Sequence, residues 1–164
     1  MTTRSARWSA AAVALAVLPI LAGGSAPPPP DPATLCKASE KPLFSCPIGR
    51  KLVSVCAGAA KPVYRYGTAG RVELTSTDLT TASVGYSGGG ETQIAATNGA
   101  YRYIVYDRTV RTGFGEDGLH HPDFDSGLIV RRGARTLSSR TCSAEPVLGT
   151  PNVGTIPPGA FVAD

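Results

Sequence analysis

Short runs of alternating apolar and polar residues, separated by turns containing glycine, proline or asparagine, fill the chain from about residue 43 to residue 142. Alternation places successive side chains on opposite faces of a strand and is typical of half-buried β-strands. Asn98-Gly99 and Gly133-Ala134 each lie between two such runs and predict tight hairpin turns. The pattern predicts nine strands, at 43–46, 51–56, 62–66, 71–75, 82–87, 91–97, 100–106, 127–132 and 135–142.

No window after residue 37 has a helical period over an adequate length, so the chain is predicted to be all-β. We expect an antiparallel barrel or sandwich of about eight or nine short strands, linked by disulfides. The composition agrees, because 19 glycines, 14 prolines and only 17% charged residues favour short strands joined by turns. A single β domain is predicted at 36–142, followed by a Pro/Gly-rich tail at 143–164 with the composition of a coil.

The first 24 residues have the pattern of a secretory signal peptide. Arg4 and Arg7 precede an apolar run at 10–21, which is shorter than the roughly 20 residues that a membrane span needs. Small residues follow, and Pro27 favours cleavage near Gly24. We therefore expect export to the periplasm or the extracellular space, with no stable membrane span after cleavage. A proline-rich spacer is predicted at 25–35.

The net charge argues against a nucleic-acid partner. The whole chain has 16 basic and 12 acidic residues, a balance of +4. Without Arg4 and Arg7, 14 basic residues stand against 12 acidic ones, and the balance falls to +2. Nucleic-acid binding normally requires a clustered basic face, which this balance does not suggest.

Four cysteines, Cys36, Cys46, Cys56 and Cys142, predict two disulfides in an oxidising compartment. The predicted hairpin formed by the first two strands puts Cys46 near its turn and Cys56 at its open end. Five strand residues at about 3.3 Å each would separate these two by roughly 15 Å, beyond disulfide reach. Cys36 is then expected to pair with one of them and Cys142 with the other. No C-x2-C pair is present to favour a zinc site.

Two Tyr-Arg-Tyr runs echo each other on predicted strands, and alternation puts the tyrosines of each run on one face. We favour core packing for these rings, and the alternative is an aromatic platform for a sugar or peptide. Arg65 and Arg102, on the opposite faces, are expected to lie in solvent. The candidate binding residues are Tyr64, Tyr66, Ser87, Tyr101 and Tyr103.

The run from Gly85 to Gly89 satisfies the G-x-S-x-G pattern of α/β-hydrolases, with Ser87 at its centre. That motif exposes its serine only where a strand turns sharply into a helix within a large parallel sheet. Here Gly90 and a strand-like run follow, so Ser87 to Gly90 is predicted to be a hairpin turn. We assign no catalytic residue.

The segment 107–126 is predicted to be a long loop, and long loops are functional or mobile. Its candidate metal ligands are His120, His121, Asp123 and Asp125. Adjacent histidines point apart on an extended chain, and Asp123-x-Asp125 is only a fragment of a calcium loop. We therefore favour a solvated acidic loop and predict no metal and no cofactor.

Several short segments together resemble a group of small exported bacterial proteins with no assigned function. The resemblance spans 36–142 and implies export and a β fold, without any catalytic residue. It is carried by Phe44-Ser45-Cys46, Val53-Ser54-Val55-Cys56, Tyr64-Arg65-Tyr66-Gly67, Val72-Glu73-Leu74, Gly89-Gly90-Glu91, Asn98-Gly99 and the alternating run from Tyr101 to Tyr106.

In size, signal peptide and disulfide-linked β architecture, the chain also resembles the periplasmic inhibitors of lysozyme. Those inhibitors carry a Ser-Gly-x-x-Tyr loop, whereas Ser83-Val84-Gly85-Tyr86 has these residue types in a different spacing. The likeness is therefore one of architecture.

These features predict a non-catalytic, exported binding or inhibitory module of the cell envelope. Its loops 85–91 and 107–126 would meet at one end of a rigid β scaffold, and its partner would be an envelope protein or glycan. We expect a monomer. The alternative is a small hydrolase or metal-dependent enzyme that uses the 107–126 loop, which requires a cavity where a histidine meets a carboxylate and Ser87.

Overall fold

The computed structural model describes residues 33–58, 60–149 and 155–163. In this part of the chain ten antiparallel strands form two five-stranded sheets, which we call sheet A and sheet B. Sheet A has the order β10-β1-β2-β3-β4, with β1 Lys41–Ile48, β2 Lys51–Ala57, β3 Val63–Thr68, β4 Arg71–Ser76 and β10 Val147–Leu148. Sheet B has the order β5-β6-β7-β8-β9, with β5 Leu79–Tyr86, β6 Gly89–Asn98, β7 Tyr101–Val110, β8 Asp123–Arg132 and β9 Arg135–Thr141.

The all-β prediction is confirmed, and the two sheets are not closed into a barrel, so the fold is a sandwich. Each predicted strand corresponds to an observed one, and β10 is an addition from the predicted tail. The predicted signal peptide and all but the last residues of the predicted spacer lie outside the described residues. Within the described ranges no helix is long and apolar enough to cross a membrane.

The core lies between the sheets and consists of the inward-facing residues that strand alternation selects. Sheet A contributes Val53, Val55 and Tyr64, all fully buried, and sheet B contributes Ile94 and Val105 among others. The remaining members of this cluster are Leu43, Phe44, Cys46, Ile48, Leu79, Ala96, Leu128 and Ile156. β-Branched and aromatic side chains of this kind pack well on a pleated surface.

Both disulfides are present, and they resolve the pairing that the sequence left open. Cys36 pairs with Cys56, and Cys46 pairs with Cys142. The predicted hairpin is confirmed, since Cys56 lies opposite Pro42 at its open end and Cys46 lies opposite Val53 nearer the turn. The second bond therefore joins β1 of sheet A to the residue that follows β9 of sheet B. Two disulfides are typical of proteins from oxidising compartments.

Two further segments lie against the sheets, one on sheet A and the other on sheet B. Residues 33–40, the N-terminal cover, lie on sheet A, where the Leu35 amide donates to the Ser54 hydroxyl at 3.0 Å. Residues 155–163, the C-terminal cover, pair with the edge of β5, where the Thr81 amide donates to the Pro157 carbonyl at 2.9 Å. The predicted tail thus contributes side chains to the fold, because Ile156 and Val162 are both buried.

The expectation that Arg65 lies in solvent is wrong. Its exposed fraction is 8%, because the N-terminal cover passes over it and places Glu40 against its guanidinium. Arg65 donates to both Glu40 carboxylate oxygens, at 2.5 and 2.8 Å, and to the Leu35 carbonyl at 3.3 Å. The sequence pattern places Arg65 on the outer face, but it does not show that a distant segment covers that face.

Candidate binding groove

The inner face of sheet B continues past the apolar core. Strands β6, β7 and β8 each contain ten residues, whereas β1 to β4 contain six to eight. On β7 the inward positions change from Tyr103 and Val105, which belong to the core, to Asp107 and Thr109. The face that packs against sheet A therefore becomes polar at one end.

A row of polar side chains runs straight across four strands at this end. Ser83 of β5 pairs with Thr92 of β6, Thr92 with Asp107 of β7, and Asp107 with Ser126 of β8. Neighbouring strands in a sheet lie about 4.8 Å apart, so hydroxyls and a carboxylate follow one another at that spacing. The Ser83 and Thr92 hydroxyls are 3.1 Å apart, and the Ser126 hydroxyl donates to Asp107 Oδ1 at 2.6 Å.

Three adjoining cavities follow this row, and Asp107 lines all of them. The largest, about 690 Å³, lies at the β8 side, and its lining includes Thr109, Phe124 and Ser126. The others, of about 130 and 560 Å³, extend to Thr92 and to Ser83. We call these three cavities together the Asp107 groove. The Leu148 side chain of β10 forms part of its wall, so sheet A closes one side.

The β5–β6 hairpin bounds one end of the groove, and the first residue of the β7–β8 loop lies against its turn. The prediction of a hairpin turn at Ser87 is confirmed, since Tyr86 pairs with Gly89 around Ser87 and Gly88. A Cβ atom on Gly88 would lie 2.6 Å from the Arg111 side chain, so the loop reaches the turn. The Tyr86 hydroxyl donates to the Thr109 carbonyl at 2.9 Å and holds the turn against β7.

The expectation of a loop over the whole of 107–126 is wrong. β7 continues to Val110 and β8 begins at Asp123, so the connection is 111–122. On the outer face Arg108 and Asp125 are directly paired and form an ion pair, and Arg108 Nη1 lies 3.7 Å from Glu91 Oε2. The hydrogen bond to Asp125 raises the pKa of Arg108. A cross-strand ion pair of this kind stabilises strands whose sequence lacks apolar alternation.

The structure does not bring the four candidate metal ligands together. His121 Nε2 lies 2.8 Å from Asp117 Oδ2, and His120 stacks on Phe114 with ring centroids 4.0 Å apart. Asp125 is engaged with Arg108, and Asp123 is exposed at the start of β8. Among the described residues, the grouping of three potential ligands within 4.8 Å is Cys36, Glu40 and Cys56, and both of its sulfurs form a disulfide.

The pKa of Asp117 is lowered from its ordinary value, first by the Leu119 amide and then by His121. Leu119 and Phe114 are exposed by 62% and 74%, so this pair sits in an exposed tip of the 111–122 loop. Neither His120 nor His121 lines the Asp107 groove.

The candidate binding residues divide into a tyrosine cluster and an isolated serine. Tyr64 and Tyr103 meet between the sheets with ring centroids 5.8 Å apart, and Tyr101 lies 6.5 Å from Tyr103. Burial raises the pKa of Tyr64 well above its ordinary value. Tyr64 is a core residue, whereas Tyr66 and Tyr103 are half-buried and also line a cavity away from the groove. Ser87 lies in the β5–β6 turn.

Sequence reasoning did not identify the groove residues. A signal was available in the sequence: every second residue of β6 and β7 faces inward, and these inward residues change from apolar to polar along each strand. Thr92 follows the parity of Ile94 and Ala96, and Asp107 follows the parity of Tyr103 and Val105. Treating residues from 107 onward as loop concealed this change.

Comparison of the chain with protein-family models, with curated proteins and with solved structures gives no match.

Proposed function

We propose that the protein is a non-catalytic binding module, exported to the cell envelope or beyond it, that holds a hydroxyl-rich glycan chain in the Asp107 groove. The observation that carries the proposal is the row Ser83, Thr92, Asp107 and Ser126 across four strands. Hydroxyl and carboxylate groups exchange hydrogen bonds readily with sugar hydroxyls. Their open, linear arrangement suits an extended ligand.

An aromatic side chain beside this row supports the same ligand class. Phe124 lines the groove and is 76% exposed, and it sits opposite Thr109 on the inner face of sheet B. A sugar ring has one apolar face that stacks on an aromatic ring, and burying both surfaces stabilises binding. A cavity of about 690 Å³ is within the range of small-ligand sites.

Export is supported by the two disulfides, which form and persist in oxidising compartments. A binding role is favoured over a hydrolase because the residues that catalysis would use are dispersed. Ser87 lies in a two-residue turn, and neither histidine lines the groove.

The proposal can be tested by titrating the full, disulfide-bonded chain with two neutral oligosaccharides, chitotetraose and cellotetraose, followed by NMR. We expect at least one to bind saturably and to shift the amide signals of Thr92, Asp107 and Ser126. Asp107→Asn and Phe124→Ala should each weaken that binding by about tenfold or more, since each removes a group that contacts the ligand.

Phe114→Ala is the matched control, because Phe114 is a similarly exposed aromatic residue that does not line the groove. It should leave the affinity unchanged. Absence of binding by both oligosaccharides would contradict the glycan ligand, and so would binding that Asp107→Asn and Phe124→Ala leave intact.

A further inference from the structure

A second cavity, of about 440 Å³, lies beside the β1–β2 turn, and its charge differs from that of the Asp107 groove. Arg50, Lys51 and Arg140 line it, and no carboxylate does. The rings of Tyr66 and Tyr103 also line it, with Ser138 at the β9 side. We call this cavity the cationic pocket.

The Cys46–Cys142 disulfide joins the two parts of the chain that carry the arginines of the pocket. Arg50 and Arg140 are ninety positions apart in the sequence, and each lies a few residues from the Cys46–Cys142 bond. Next to that bond, the amide of Ser143 donates to the Pro47 carbonyl at 2.8 Å, and its hydroxyl donates to the same oxygen at 3.0 Å. A covalent and hydrogen-bonded link therefore fixes both sides of the pocket.

The described part of the fold supplies no counter-ion to either arginine of the pocket. Lys51 forms an ion pair with Glu73 at 2.5 Å and lies 5.2 Å from the centre of the Tyr66 ring. Among the described residues, the side chains of Arg50 and Arg140 form neither a hydrogen bond nor an ion pair. The pocket thus holds two guanidinium groups that are available to a ligand.

The floor of the pocket is aromatic and partly dehydrated. Tyr103 packs on the fully buried Tyr64, whose hydroxyl has no hydrogen-bond partner. Burial raises the pKa of Tyr103, so its phenol adds no negative charge beside the arginines. Half-buried tyrosines also present hydroxyl donors at the edge of an apolar surface.

Guanidinium groups bind planar or tetrahedral oxyanions through paired N–H donors, and the attraction is stronger beside a surface that excludes water. We infer that the cationic pocket binds the oxyanion of a small acidic ligand, a carboxylate or a phosphate, through Arg50 and Arg140, with the body of the ligand on Tyr66 and Tyr103. This site is separate from the Asp107 groove and does not depend on the function proposed for it.

Calorimetric titration of the full, disulfide-bonded chain tests the inference and distinguishes the two oxyanions. The probes are glucuronate for a carboxylate and glycerol 3-phosphate for a phosphate, with glucose and glycerol as their neutral counterparts. We expect saturable binding of at least one acid, with neither neutral compound binding comparably. In NMR spectra the side-chain N–H signals of Arg50 and Arg140 should shift on binding.

Arg50→Gln with Arg140→Gln should lower the affinity by about tenfold or more, because both charge-assisted donors are lost. Lys61→Gln with Arg135→Gln is the matched control, since these exposed cations change the net charge equally but lie outside the pocket. Binding by neither acid would overturn the inference, and so would equal weakening by the two double variants. Asp107→Asn should not affect this binding, which separates failure here from failure of the proposed glycan site.

Discussion

The N-terminal cover on sheet A and the C-terminal cover on sheet B protect outer faces of opposite polarity. Under the N-terminal cover, Ser45, Ser54 and Arg65 lie in register across three strands, and all three are buried. Under the C-terminal cover the buried outer-face residues are mostly apolar; they are Ala95, Ile104, Tyr106 and Ile129, with Gln93 and Glu91 as the polar exceptions. Both faces are shielded from water, but they place different demands on the segment that covers them.

A buried polar face requires a partner for each of its groups, because an unpaired buried donor or acceptor is costly. The N-terminal cover supplies these partners individually. The Ser45 hydroxyl donates to the Ala33 carbonyl at 2.9 Å and lies 2.8 Å from the Ser54 hydroxyl. Glu40 neutralises Arg65, and the Cys36–Cys56 bond ties the cover to β2.

The apolar face of sheet B is covered more simply. Val162 packs on it, and the side chain of Gln93 holds the backbone of that residue at both polar groups. Gln93 Nε2 donates to the Val162 carbonyl at 2.8 Å, and the Val162 amide donates to Gln93 Oε1 at 3.0 Å. No disulfide fixes this cover, because both disulfides lie elsewhere. The polar face is therefore covered through titratable and reducible contacts, whereas the apolar face is covered through packing and one neutral amide side chain.

Three changes should affect the two covers differently, and removal of the Cys36–Cys56 disulfide should have the largest effect on stability. Cys36→Ala with Cys56→Ala opens a link across 20 residues, which in the chain-entropy description lowers the free energy of unfolding by about 3 kcal/mol. Urea unfolding followed by circular dichroism measures this loss. Ser39→Ala, at an exposed position of the same cover, should change stability by less than about 0.5 kcal/mol. An unchanged urea midpoint in the cysteine variant would show that the hydrogen bonds and the ion pair hold this cover alone.

Loss of the Gln93 amide should loosen the C-terminal cover by a smaller amount. Gln93 is 2% exposed, and Gln93→Leu leaves the N–H and C=O of Val162 without their partners. We expect a loss of about 2 kcal/mol, the usual cost of unpaired buried groups. Hydrogen exchange should accelerate at the amides of Gly159 and Val162 but not at Glu40, whose amide belongs to the other cover. Equal acceleration in both covers would contradict their independence. Ala163→Ser, at an exposed neighbour, serves as the control.

Much of the sandwich could be predicted because its strands obey a local rule. Val53 and Val55, for example, lie on either side of the polar Ser54, and glycines at 49, 99 and 133 take the left-handed φ that tight turns need. Strand geometry alone was enough to disfavour a Cys46–Cys56 disulfide. These features depend on residues near one another in sequence.

The covers and the groove could not be predicted, because each depends on which distant segment lies against a face. Strand alternation places Arg65 on the outer face, where a residue is usually exposed. It is buried because the segment that carries Glu40, 25 positions earlier in the sequence, lies over it. Asp107 has the character of a loop residue, and only its register with Thr92 and Ser126 shows that it faces inward. Alternation specifies a face, but not what that face contacts.

Acidification should have the smallest of the three effects on stability. It should loosen the N-terminal cover alone, because only that cover is held by a carboxylate. The hydrogen bonds and charge of Arg65 lower the pKa of Glu40 from 4.5 to about 2. Because the folded pKa is below the ordinary one, this stabilisation is present above about pH 4.5 and is lost as the pH falls towards 2. A shift of that size corresponds to about 3 kcal/mol, which solvent screening at a partly accessible pair reduces to about 1–2 kcal/mol.

Urea unfolding of the wild-type chain and of Glu40→Gln, between pH 6 and pH 2.5, isolates this contribution from that of the other carboxylates. The stability difference between the two proteins should shrink as the pH falls, because protonation removes from Glu40 the charge that the substitution has already removed. Asp117→Asn is the control, since Asp117 also has a lowered pKa but sits in an exposed loop, where we expect no measurable difference. A difference for Glu40→Gln that stays constant over this range would mean that the ion pair with Arg65 positions the N-terminal cover without stabilising it.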